Sequence, residues 1–316
     1  MEEHLKGIPR NMVIKGVGAF AKIITTCLNN TTVHNSETLL HLVRSRPPGT
    51  PLITVSNHMS TLDDPLMWGF KGFPIGDARL ARWIGLGFSP NKNHAPEAIE
   101  FVMNAENLHC TGKCIPITRG GGIYQEHMNE AIDRLREGGW VYPYYLVTLC
   151  CLNLENYVVQ GYPKPPLQLP LVWKKRGRIA LHTFPEGKVS QEGVPIRRLK
   201  WGTASLIERA PLTPIVLPIV HCGFEKVMPE KYFFDRRPPL PLIGKDIRII
   251  VGEPIEFGLP ELRHTAIAMS RELPLCSLGW PTRSPHGLDE AAQRWLYTNI
   301  SDRIWSVMEG LRVSNF

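Results

Sequence analysis

Short apolar runs alternate along this chain with segments whose apolar residues recur every three or four positions. Leu52 to Val55 is a run of strand length that follows a Pro-Pro-Gly turn at 47–49 and leads into the polar stretch VSNHMSTLDDP, residues 55–65. Glu37 to Arg44 predicts a helix ahead of the turn, and another is expected to open near Pro65, since proline suits a first helical turn. CIPITRGGG, residues 114–122, predicts a strand running into a glycine loop. The segment from Gly122 to Gly139 places Tyr124, Met128, Ala131, Ile132 and Leu135 on one side of a helix that Gly138-Gly139 stops. Strands are expected in IALHTF, PIVLPIV and DIRIIVGEPI, and a helix over PIRRLKWGTASLIERA, residues 195–210. From Leu288 to Leu311, Ala291, Ala292, Leu296, Ile304 and Met308 recur at helical spacing, as in a docked amphipathic helix. No internal repeat is present. The alternation predicts an α/β fold, a parallel or mixed central sheet covered by helices.

Composition narrows the class. With 316 residues, 43% of them hydrophobic and 21% charged, the chain buries a full core and is not a disordered one. A net charge of +7 and a pI near 9.1 suit a polyanion, either nucleic acid or an anionic membrane surface. No basic run with interleaved aromatics, RNP motif or zinc finger supports nucleic acid. Seven cysteines are scattered in odd number without a CxxC pair or a preceding secretory signal, which reads as reduced thiols in an intracellular protein without a zinc site. Met12 to Leu28 is apolar but carries Lys15 and Lys22 on one helical face, too interrupted and short to span a bilayer. An amphipathic helix over residues 1–30, lying in the membrane interface with its lysines toward headgroups, is expected; an ordinary packed helix is the alternative. Glu2 and Glu3 do not resemble an acid-poor transit peptide, and the organelle stays open.

His58 and Asp63 are the candidates for chemistry. A histidine five residues ahead of an aspartate can be a satisfied surface histidine in a strand-to-helix loop, or a general base whose tautomer a carboxylate fixes. A second cluster, TFPEGKV at 183–189, sits at another strand end. Its Glu186 can accept hydrogen bonds from hydroxyls, and Glu186-Gly187 is equally ordinary turn chemistry. Arg119, followed by three glycines, can bring a guanidinium and open N–H groups to a phosphate, although RGGG lacks the order of a nucleotide loop. Arg197, Arg198 and Lys200 add positive charge near Glu186, or form a solvated helix face. A metal reading of His58, Asp63 and Asp64 finds no further ligand cluster in support.

Together these segments resemble the glycerophospholipid acyltransferase superfamily and, within it, the tafazzin branch, most closely its plant members. Asn57-His58 through Asp63 matches the NHx4D block. GKCIPITR at 112–119, FPEG at 184–187 and IVLPIV at 215–220 match the next three, in order. The resemblance implies an acyltransferase domain over 37–275 and a C-terminal helix over 288–312. It implies acyl transfer to a lysophospholipid or to phosphatidylethanolamine, with His58 as general base and Asp63 as its orienter. Asn57, Arg119, Glu186 and Gly187 would be substrate-binding. No metal or cofactor is implied; acyl-CoA or a second phospholipid is the donor, and the partners are membrane phospholipids and lysophospholipids rather than nucleic acid. A non-catalytic, membrane-associated lipid-binding protein of the same fold is the alternative, against which the joint presence of His58 and Asp63 argues.

The chain departs from its relatives twice. Val141 to Ala180 intervenes where relatives run almost directly from a tryptophan like Trp140 into LHTFPEGK. This segment carries Lys164, Lys174, Lys175, Arg176 and Arg178 against Glu155 alone, so it supplies much of the net positive charge. It reads as translated non-coding sequence that the fold does not need. Ile84 to Cys110 also departs, and the helix that precedes GKC in relatives is mostly missing.

Overall fold

Strand β2 (Leu52–Ser56) is buried at every position, as a strand covered on both faces must be, and it takes the centre of the sheet. The computed structural model describes residues 12, 14–47, 49–75, 83–88, 114–118, 122–137, 180–191, 195–232, 234–271, 280 and 284–316. Helix α1 covers residues 14–28, its last turns wound as a π-helix over Ile23–Leu28, and is followed by β1 (Asn30–His34) and α2 (Ser36–Ser45). After β2 come α3 (Asp63–Leu66), β3 (Trp83–Phe88), β4 (Cys114–Thr118), α4 (Glu126–Glu137) and β5 (Ala180–Thr183). The remainder is α5 (Gly202–Arg209), β6 (Ile215–Cys222), α6 (Phe224–Val227), β7 (Asp246–Val251), α7 (Leu259–Ser270) and α8 (Glu290–Asn315).

Among the described residues the strands form one seven-stranded sheet in the order β1-β7-β6-β2-β5-β3-β4. Every neighbouring pair is parallel except β6 and β7, so the sheet is mixed. Side chains alternate between two cores, as the two-residue period requires. Ile53, Val55, Leu181, Val216 and Val220 face the layer built from α4, α5, α7 and α8. Leu52, Leu217, Ile219, Ile247 and Ile249 face a second layer with α1, α2 and α6. Each such side chain, wholly withdrawn from water, is worth about 1.5–3 kcal/mol, which makes the central strands the least replaceable part of the chain.

Several elements differ from the sequence pattern. The helix expected over 195–210 starts only at Gly202. Before it, Lys200 donates its N–H to Pro185 O, and Ile196 and Arg197 donate theirs to the Glu309 and Glu186 carboxylates, so these groups are spent on tertiary contacts. The helix expected near Pro65 is the single turn α3, kinked at Asp64. β1 escaped the pattern because NTTVH is an edge strand with exposed and half-buried positions alternating, and offers no apolar run. α7 escaped it because only Leu259, Ala266 and Ser270 are buried along twelve residues.

Strand direction fixes where loops meet. β2, β5 and β6 all end at one rim of the sheet, and His58 follows β2 there. β7 runs against β6, so its first residue, Asp246, lies at that same rim, and Asn30 of β1 pairs with it just after α1 ends. At the opposite rim α4 ends and β5 begins, because a helix joining parallel strands must bring the chain back to the rim where strands start. Leu135 near the end of α4 and Leu181 in β5 share one core. Residues 89–110 of the first departure and 141–179 of the second lie outside the described residues; 84–88 belong to β3, and Ala180 opens β5.

Both junctions of the 138–179 segment lie at the rim away from His58, and closing a loop costs little more as it lengthens. Joining Trp140 to Ala180 should therefore leave the melting midpoint unchanged or raised, measured by circular dichroism beside the full chain. A variant that no longer melts cooperatively would make the segment a structural element.

Candidate active site

The loop after β2 is wound around one buried carboxylate. Asp63 is fully buried, and its Oδ2 accepts from His58 Nδ1 at 2.9 Å, from the Met59 N–H at 2.6 Å and from the Ser60 N–H at 2.9 Å. Burying an uncompensated carboxylate costs several kcal/mol, while each hydrogen bond to a charged group returns about 1.5–3 kcal/mol. Three donors on one oxygen therefore decide the loop's path. Ser60 closes it further, accepting from the Asp63 N–H through its carbonyl and from the Leu62 N–H through its hydroxyl. Since a carboxylate only accepts, His58 carries its proton on Nδ1 and its lone pair on Nε2. The ring is partly open to solvent and stacks on Phe184, centroids 4.1 Å apart with 21° between planes. With Nε2 unprotonated and the ring partly open, the imidazole is placed to accept a proton from a bound group.

Two further strand ends hold this loop. Asn57 and His221, at the ends of β2 and β6, exchange hydrogen bonds: Asn57 Nδ2 donates to His221 O and the His221 N–H to Asn57 Oδ1, both at 2.9 Å. His221 is buried, and its Nε2 lies 2.9 Å from Asn57 O and 3.8 Å from Asp63 Oδ2. A carbonyl only accepts, so that nitrogen holds the proton. Burial pushes the His221 pKa down, against the pull of the Asp63 charge, which keeps the ring neutral. From β5, Glu186 Oε1 accepts the backbone N–H of His58 at 2.8 Å, and Oε2 accepts that of Arg197 at 3.4 Å. Burial raises the Glu186 pKa, and these two backbone donors oppose the shift in part. Gly187 turns the FPEG loop with φ +72°, a conformation that calls for glycine, and a Cβ there would meet only the flexible end of the Lys200 side chain, at 2.8 Å.

The structure thus brings Asn57, His58, Asp63, Glu186 and Gly187 to one rim. Arg119 lies outside the described residues, one position past the end of β4. Asp64 accepts from the Trp68 indole. Glu186, expected as a substrate contact, directs both oxygens to backbone N–H groups of its own chain. His221 and Phe184 were missed by pattern alone. The apolar run that marked β6 stops at Val220, although the strand continues to Cys222, and Phe184 read as the last residue of a strand rather than as the platform under His58.

No protein-family model matches the chain. It is 50% identical over 317 residues to a protein from Arabidopsis thaliana named N-acylphosphatidylethanolamine synthase, covering 98% of this chain and 94% of that one. It is 32% identical over 252 residues to the tafazzin of Drosophila melanogaster, covering 78% of this chain and 51% of that one. To the tafazzin of Saccharomyces cerevisiae it is 28% identical over 252 residues, covering 77% and 61%. The chain thus spans nearly the whole of the plant relative and between half and two thirds of these tafazzins.

The raised Glu186 pKa has a consequence for stability. The folded chain holds this proton more tightly than the unfolded chain, so the group's contribution is present below its ordinary value of 4.5 and is lost as pH rises through the folded value. Glu186→Gln keeps an acceptor for the His58 N–H and removes the titration. Its unfolding free energy, from urea titrations between pH 4.5 and 7, should decline less with rising pH than that of the parent chain; parallel profiles would refute the assignment.

Proposed function

Because the chain belongs to the tafazzin family, on the branch of the plant N-acylphosphatidylethanolamine synthase, we propose that it transfers a fatty acyl group to the amine of phosphatidylethanolamine or the hydroxyl of a lysophospholipid. The observation that carries this reading is the His58–Asp63 pair, 2.9 Å apart, with Asp63 buried and the histidine ring partly open.

In this mechanism His58 Nε2 takes a proton from the acceptor as its nitrogen or oxygen attacks the acyl carbonyl of the donor. The carbonyl bond to the donor's sulfur or oxygen then breaks. An alkoxide leaving group recovers the proton from the imidazolium, whereas a thiolate departs without it and the imidazolium then releases its proton to solvent. Asp63 supports the imidazolium and fixes its tautomer. Asn57 and Glu186 hold the backbone on either side of His58, and so act as positioning residues. Arg119, assigned from the family motif, contacts a lipid phosphate, and Gly187 permits the left-handed turn of the FPEG loop. Neither metal nor cofactor takes part; the donor is acyl-CoA or a second phospholipid.

Helix α1 supports a membrane-bound setting. Gly18, Ala21, Ile24 and Thr25 dock it, with the Ala21 carbonyl close against Gly69, while Val17, Phe20 and Ile23 are exposed, as are Lys15 and Lys22. No helix among the described residues is long and apolar enough to cross a bilayer. Both readings of this segment are therefore combined in one helix, packed on one side and suited to the interface on the other.

Mass spectrometry of products from purified protein, offered labelled acyl donors with lysophospholipids and phosphatidylethanolamine, tests the activity. His58→Ala should lower acyl transfer by roughly 10²–10⁴-fold without altering membrane binding, and unchanged turnover would sink the mechanism. Asp63→Asn should stay folded and lose most of the rate. Deleting α1 would open the core at Ala21 and Ile24, so its surface role is better read from Phe20→Ser with Ile23→Ser. That pair should weaken vesicle pelleting at high salt, where the apolar contribution remains unscreened.

A further inference from the structure

A second apolar surface lies in the loop between α6 and β7. Tyr232, Phe234, Leu240 and Ile243 are 61%, 84%, 73% and 62% exposed, an unusual concentration of large apolar side chains in one water-facing segment. Basic residues interleave with them. From Lys226 to Lys245 the chain carries five basic residues against two acidic ones, and one of the acids, Glu230, is paired with Arg237 at 3.1 Å.

The backbone holds this surface in place. The Tyr232 N–H donates to Arg236 O at 3.0 Å and closes the tip, and the Leu242 N–H donates to Val227 O at 2.8 Å. Its far end is sewn to the end of α1: the Gly244 N–H donates to Leu28 O and the Lys245 N–H to Asn29 Oδ1, both at 2.8 Å. Exposed Ile243 therefore follows directly on exposed Leu28 and the open face of α1. Its near end reaches the candidate site. The Glu230 N–H donates to Gln191 Oε1, Gln191 Nε2 donates to Met228 O, and the neighbouring Ser190 N–H donates to His58 O at 2.7 Å. Reversal of β7 puts the whole loop on the rim that carries His58.

We propose that residues 228–245 form a second membrane-contact element, which seats on an anionic phospholipid surface beside α1 and turns the His58 rim toward the bilayer. Three features favour a bilayer over a protein partner: apolar tips with cations between them, continuity with the exposed face of α1, and hydrogen bonds that fix the tips before contact. The apolar side chains enter the acyl boundary, and Lys231 and Arg236 remain at headgroup level. The proposal rests on the acyltransferase reading for the identity of the lipid substrate, whereas the contact itself is read by binding alone.

The test uses the full chain with vesicles of phosphatidylcholine, alone or mixed with phosphatidylserine. Combined Tyr232→Ser, Phe234→Ser, Leu240→Ser and Ile243→Ser should lower partitioning to both by more than about tenfold. Lys231→Glu with Arg236→Glu should remove the preference for phosphatidylserine and leave the thermal melt unchanged. A polarity-sensitive fluorescent amino acid in place of Phe234, which does not depend on the fourfold variant folding, should shift to the blue on vesicles. Parent-like partitioning of both variants, or water-like emission from vesicle-bound protein, would overturn the proposal. So would a fourfold variant that loses self-association in sedimentation while binding vesicles normally, since the patch would then be an interface between copies. Absence of acyl transfer to any acceptor, with these binding results intact, would refute the enzymatic reading and leave the contact standing.

Discussion

A carboxylate withdrawn from water must be matched by donors, and that demand at Asp63 organises the rim on which the candidate chemistry sits. One oxygen gathers two backbone N–H groups and an imidazole N–H, so residues 58–63 follow a single path around it. The same bond that repays the burial of the charge selects the histidine tautomer. Folding energy and chemical competence are therefore one arrangement at this point, and a change that relaxes the loop also turns the ring. The second oxygen of Asp63 is buried without a hydrogen-bond partner among the described residues.

Three strands contribute to holding that loop, each through hydrogen bonds that join a side chain to a backbone group. β2 supplies Asn57 and His58, β6 answers through the backbone of His221, and β5 leads to Glu186, which grips the N–H of His58. Because the Asn57 and Glu186 side chains are buried and directed at backbone groups, the loop is tied to the sheet. His58 then has little freedom left except at the ring face, where Phe184 lies flat against it and is itself set edge-on against His182, buried between Thr54 and Ser56. Preorganisation of this kind is what a proton transfer requires, since no free energy is then spent on alignment at the moment of reaction.

Much of this is legible in the sequence, and the exceptions have physical reasons. The strands of the first, third and fourth motif blocks, β2, β5 and β6, were readable because central strands are apolar on both faces and end abruptly in polar turns. β4 was readable from its run CIPIT. β1 was not, because an edge strand half open to water carries Thr and His in place of an apolar run. Residues 195–201 looked helical by spacing, but Ile196 and Leu199 are buried in the core shared with α8 without a helix, and the N–H groups a helix would use are engaged elsewhere. His58 and Asp63 were found from type and spacing; His221 was not, because its approach to Asp63 comes from strand pairing across 158 positions of chain and leaves no local pattern. The orientation of Glu186 toward the backbone was likewise invisible, as a sequence names a carboxylate without saying what it faces.

The single antiparallel step in the sheet gives the molecule a division of labour between its two ends. Had β7 run with β6, the chain ahead of it would emerge roughly 20 Å away, at the far end of a six-residue strand. Instead the end of α1, the loop before β7 and the histidine loop share one rim, while the crossover from α4 to β5 opens at the other. One end of the sheet thereby gathers the residues around His58, and the other carries the α4–β5 junction. Chain added or removed at that junction would enter the fold at the rim away from His58.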